Sequence, residues 1–118
     1  MNYYIEDAKK FLEVAEKEFE QEKTTGDLIK IKQAAEKDWN ATVQATNGLF
    51  AKRGESIPKT NRERRQGLKK IAPELRDRFE AKAHSLHSEC FYHGVCPLEL
   101  IEENIKKVRE YISQIEKK

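Results

Sequence analysis

The sequence predicts an all-α protein, an up-down bundle of four or five helices in a single domain spanning residues 1–118. Three observations carry this. Apolar residues recur at three- and four-residue steps through most of the chain, the spacing that lines one face of a helix. Only five Gly and three Pro occur in 118 residues, so turns are scarce and long helices are favoured. Charged residues make up 37%, as large a share as the hydrophobic ones, enough to clothe a helical core in ionic side chains. The chain is long enough to bury such a core without staples. No apolar run is long enough to span a membrane. The opening MNYYIEDAKK is amphipathic and carries Glu6 and Asp7, unlike a secretory leader. The expected location is therefore cytoplasmic, and the membrane, secreted mini-protein and disordered classes are set aside.

The first helix is expected from Met1 to about Lys23, with Tyr4, Ala8, Phe11, Leu12, Ala15 and Phe19 on one stripe. Thr24-Thr25-Gly26 breaks the pattern, and Asp27 suits the N-cap of a second helix running to about Arg53. Its stripe is Leu28, Ile31, Ala35, Trp39, Thr42, Ala45, Leu49 and Phe50, and its alanines allow a close neighbour. Gly54 fits the position just past a helix end. Residues 54–59 form a loop, and Thr60 or Asn61 caps a short third helix to Ile71. Pro73 opens a fourth, with Leu75, Phe79, Ala83, Leu86 and Cys90 buried. His93 to Cys96 is a turn. Pro97 opens the last helix, where Leu98, Ile101, Ile105, Val108, Ile112 and Ile115 alternate strictly. That stripe is long for a chain of this size; a helix-mediated homodimer or a deep monomer core accounts for it.

Charge is unevenly placed. Eight bases (Lys52, Arg53, Lys59, Arg62, Arg64, Arg65, Lys69 and Lys70) stand between Lys52 and Lys70 against Glu55 and Glu63, whereas the whole chain is only +2. Of these, Lys59, Arg62, Arg64, Arg65, Lys69 and Lys70 are the candidate nucleic-acid contacts, since clustered cations bind phosphates. No aromatic lies between them, so base stacking is not expected within that stretch. The plain alternative is a solvated basic face that pairs with the acidic first helix.

His84, His87, Cys90, His93 and Cys96 fall at every third position and include every His and Cys of the chain. A step of three drifts around a helix by about 60° each time, and neither a CxxC pair nor HExxH is present. No metal site and no cofactor are therefore expected. Cys90 reads as a small buried apolar residue. A Cys90–Cys96 disulfide is sterically conceivable but disfavoured without a secretory leader. Acid–base chemistry is the other reading of the stretch. A histidine exchanges a proton while an arginine holds a phosphate, as metal-independent RNA cleavage requires. His93 beside Gly94 is the best placed, and Arg78 with His84 is the second pair, although an offset of six keeps them off one face of a straight helix.

LHSECFYHG (Leu86 to Gly94), followed by CPLELIEENIKKVREYISQI, resembles the HEPN superfamily (higher eukaryotes and prokaryotes nucleotide-binding), in particular its archaeal repeat-type branch. GDLIKIKQAAEKDWNATVQATNGLFAKRG (Gly26 to Gly54) is similar to that branch's second helix. The resemblance implies a bundle of four or five helices, commonly a homodimer. It also implies either a metal-independent ribonuclease with an arginine four to six residues before a histidine, or a nucleotide-binding or nucleotidyltransferase-partner domain. Matching Tyr92-His93-Gly94 to the family's histidine–glycine step makes His93 the catalytic histidine. His87, not an arginine, stands at the permitted spacing before it, and Arg78 with His84 fits the spacing in another phase. The leading expectation is a dimeric binding module for nucleic acid, a nucleotide or a nucleotide-handling protein, with His87, Tyr92 and His93 lining a cleft. The alternatives are an endoribonuclease using His93 with an arginine such as Arg78, and a purely structural interaction domain.

Overall fold

Asn2 starts the first helix: its side chain accepts hydrogen bonds from the Tyr4 and Ile5 N–H groups at 3.1 and 3.3 Å. The computed structural model describes residues 2–118, so the expected start at Met1 lies outside them. α1 (Tyr3–Glu22) and α2 (Leu28–Lys52) pack along each other; α1 buries Ile5, Ala8, Leu12, Ala15 and Phe19, and the buried face of α2 is rich in small residues, Ala34, Ala35, Ala41 and Ala45. Small side chains let the backbones approach. At Gly48 a Cβ would stand 2.6 Å from the Ile5 side chain, and the Gly48 carbonyl accepts from Asn2 Nδ2 at 2.9 Å. Asp27 caps α2 as expected, accepting from Ile29 N–H at 3.1 Å. Gly54 follows the helix end with φ +68°, a left-handed conformation that glycine adopts without a steric penalty.

α3 (Asn61–Ile71) is capped by Thr60, whose hydroxyl accepts from Glu63 N–H at 3.1 Å. α4 (Pro73–Lys82) begins on Pro73. α5 (Leu98–Glu116) returns along α1 and α2. Its stripe from Ile101 to Ile115 is buried within the chain, joined by Tyr111, and so gives no argument for a dimer. Leu28 and Leu98, expected on buried stripes, are instead 48% and 39% exposed, because each opens its helix at an end of the bundle. Tyr4, Phe11 and Ala83 are only partly buried. The described residues form an all-α bundle of five helices around one core, with no strand and no helix long and apolar enough to cross a membrane.

Two local features differ from expectation. α4 does not continue as an α-helix to Cys90: residues Ala83–Tyr92 form a π-helix, with bonds such as His93 N–H to Ser88 O at 3.1 Å. Cys90 and Cys96 are joined by a disulfide, although the sequence disfavoured one. Cys90 is indeed fully buried, but its neighbour in the turn comes back onto it. Gly94 N–H and Val95 N–H bond the Cys90 and Glu89 carbonyls, folding the turn over the helix end and bringing the two Cα atoms to 4.6 Å.

Candidate nucleic-acid interface

The eight bases from Lys52 to Lys70 divide by what they touch. Lys52 Nζ donates to the Ile115 and Glu116 carbonyls at 3.0 and 2.9 Å, closing the end of α5. Arg64, expected among the phosphate contacts, is a correction. It is buried, and its guanidinium donates to Asn47 Oδ1 (3.0 Å), Asn61 Oδ1 (2.9 Å) and the Pro58 carbonyl (3.2 Å). It holds the 54–59 loop and α3 onto α2, with each of its three nitrogens already bonded inside the protein. Arg65 is half-exposed and pairs with Glu80 of α4. Lys59, Arg62, Lys69 and Lys70 are exposed and form no ion pair among the described residues. Arg65, Gln66, Lys69, Arg76 and Glu80 line a groove between α3 and α4. Arg76, unnoticed in the sequence because it lies outside the basic run, supplies the far wall.

The acidic first helix does not neutralise this face. Glu16 pairs with Arg109 and Glu18 with Lys37, Glu22 lies 3.5 Å from Lys30, and Lys9 reaches Glu116 at 2.7 Å. These partners all belong to α2 and α5. The expectation that the basic stretch is a face paired with α1 is therefore not met among the described residues.

The histidines separate. His84 is exposed, 4.0 Å from Glu89, while Glu80, one turn before it, is turned to Arg65. His93 ends the π-helix and is exposed, and Arg78 is exposed on α4, its carbonyl accepting from Lys82 Nζ at 3.2 Å. His87 is the one held in place. Its Nδ1 lies 2.8 and 3.0 Å from the two Glu36 carboxylate oxygens. A carboxylate accepts, so Nδ1 carries the hydrogen and Nε2 is left to face outward. Burial lifts the Glu36 carboxyl above its ordinary range and the bond to His87 draws it back.

Around His87 stand aromatic rings. Trp39 lies 5.7 Å away at 28°, Phe91 6.3 Å away at 9°, and Tyr92 stands perpendicular to it at 4.9 Å and 82°. Tyr92 is 67% exposed. The π-helix causes this grouping. In an α-helix, residues five apart point about 140° away from each other; with bonds spanning five residues, they fall one above the other. His87 and Tyr92 meet in this way, as do His84 and Glu89. The sequence marked His87 and Tyr92 but missed Glu36, whose only signal is a place on α2 three residues before Trp39. Among the described residues no three His, Cys, Asp or Glu side chains converge as metal ligands would.

A polar cluster also lies inside the bundle. Asp38 is fully buried with both carboxylate oxygens unpartnered, and burial holds its carboxyl well above the usual range. Lys82 is buried beside the Tyr111 ring, 5.1 Å from its centroid, and the Tyr111 hydroxyl bonds Thr46 Oγ1 at 2.7 Å.

Fold and surface together define a small helical bundle with an open basic groove and an aromatic shelf. Residues 1–117 match the family described as a domain of unknown function, DUF5618, and the chain belongs to that family. No curated protein and no solved structure matches the chain.

Proposed function

We propose that the protein is a HEPN-like binding module for nucleic acid that works as a homodimer. The observation that carries the nucleic-acid reading is the α3–α4 face: among the described residues Lys59, Arg62, Lys69 and Lys70 are left without carboxylate partners, while Glu16, Glu18 and Glu22 of α1 pair with α5 and α2. Side chains so placed exchange counterions for phosphates, and Arg76 on the groove wall adds a forked donor that matches phosphate oxygens. The test is fluorescence anisotropy with a labelled oligonucleotide, comparing wild type with the triple variant Arg62→Glu, Lys69→Glu, Lys70→Glu. All three side chains are exposed, so the variant keeps its melting temperature. Affinity falls at least tenfold. Unchanged affinity sinks the reading.

The Glu36–His87 pair favours a second reading, a metal-independent ribonuclease in which His87 Nε2 takes or gives the proton. RNA cleavage in the presence of chelator, lost in His87→Ala, would support it; an intact RNA retires it.

A further inference from the structure

We infer that the Tyr92–His87–Phe91 cluster is a stacking shelf for an unpaired nucleobase, which makes the preferred ligand single-stranded. This rests on the nucleic-acid reading of the basic groove and gives His87 a binding role. Four observations lead to it. Tyr92 is a large aromatic left 67% exposed at the end of the π-helix, with its ring perpendicular to a fixed imidazole. Phe91 meets Tyr92 at 5.6 Å and 77° and lies nearly parallel to His87, so the shelf presents ring faces in two orientations. The shelf is rigid. Glu36 holds the His87 ring by both carboxylate oxygens, buried Trp39 backs it, and the Cys90–Cys96 bond closes the turn that follows. Finally, the shelf lies on the same continuous rod as the groove wall. From Arg76 to Tyr92 the backbone advances at most about 24 Å at helical rise, a distance that a single strand of several nucleotides spans.

A basic groove with aromatic platforms within reach of the same strand is the combination that holds single strands. The cations follow the backbone while exposed rings take bases, which a duplex keeps stacked inside. The basic run contains no aromatic, so without the shelf this protein would hold single and double strands alike.

Trp39 is the chain's only tryptophan and sits 5.7 Å from His87, so its emission reports on the shelf. The experiment titrates a short single-stranded oligonucleotide and its blunt duplex into wild type, Tyr92→Ala and Tyr92→Phe, following Trp39 emission and anisotropy together. Tyr92 is exposed, so both variants fold. The single strand binds wild type more tightly than the duplex and changes Trp39 emission saturably. Tyr92→Ala loses about tenfold in single-strand affinity, as removal of one stacking ring does; Tyr92→Phe does not, and duplex affinity is the same in all three. Equal binding of both forms with no effect of Tyr92→Ala overturns the shelf and leaves the basic groove standing. Binding of neither form overturns both.

Discussion

Lys82 shows how one side chain links burial to stability. Burial pushes its pKa down to about 8, against the pull of Asp38, with Arg78 and Lys107 adding to the shift and Glu110 opposing it. Between about 8 and the ordinary 10.5, the folded protein holds fewer protons on this amine than the unfolded chain does. Stability contributed by a depressed group is present above its unfolded value and is lost as pH falls through the folded one, so the fold strengthens with pH across this window. Asp38 works in the opposite sense: its raised carboxyl favours the fold at low pH, and that preference fades as pH rises. Lys82→Met keeps the volume and removes the titration. Denaturant unfolding from pH 8 to 10 should show wild type gaining stability at a slope of up to about 1.4 kcal/mol per pH unit, and the variant flat. Equal slopes would place the pH dependence elsewhere.

At the scale of elements, the π-helix and its disulfide decide what the second half of the rod formed with α4 can display. The bond closes a loop of sequence separation 6. So short a loop removes little unfolded-state entropy, and its loss should cost roughly 2 kcal/mol. Cys96→Ser is therefore expected to lower the melting temperature by the amount that a dithiol reductant lowers it in wild type, with no further loss when both are combined. Trp39 emission should shift in the variant as the turn beside Tyr92 loosens. A reductant that leaves wild type unchanged would contradict the bond's role. The same elements show what was legible in the sequence. Asp27, Thr60, Pro73 and Gly54 announced helix ends because caps and breakers act locally. The α5 stripe was legible because its period is the α-helical one. The π-helix was not, since apolar periodicity at 3.6 residues per turn continues the fourth helix to Cys90 and carries no signal for bonds that span five residues. Glu36 and His87 are separated by 51 positions, and only folding joins them. Arg64 misled because a count of charges is blind to burial: a buried arginine with three internal acceptors reads in sequence like its exposed neighbours.

For the whole molecule, a formal charge of +2 conceals a separation of function between charges. Three acids of α1, Glu16, Glu18 and Glu22, are matched to cations of α2 and α5, where such pairs contribute about 0–1 kcal/mol each. The cations of α3 and of its flanking loop have no such partners from α1, and Arg76 on α4 lies 3.3 Å from its neighbour Asp77. A polyanion therefore meets one attractive face, and binding should depend on salt through the number of phosphates that face neutralises. If Lys59, Arg62, Lys69, Lys70 and Arg76 each meet one phosphate, the slope of log affinity against log salt for a single strand is about −3.5, at roughly 0.7 per contact. Replacing Arg62, Lys69 and Lys70 by Gln removes three contacts and brings the slope to about −1.4. Tyr92→Ala lowers affinity at every salt concentration and leaves the slope unchanged, because a stacked base releases no counterion. Affinities measured across a salt series for the three proteins separate the two contributions. A wild-type slope near zero, or one that the glutamine variant does not change, would show that the α3–α4 face is not where phosphate binds.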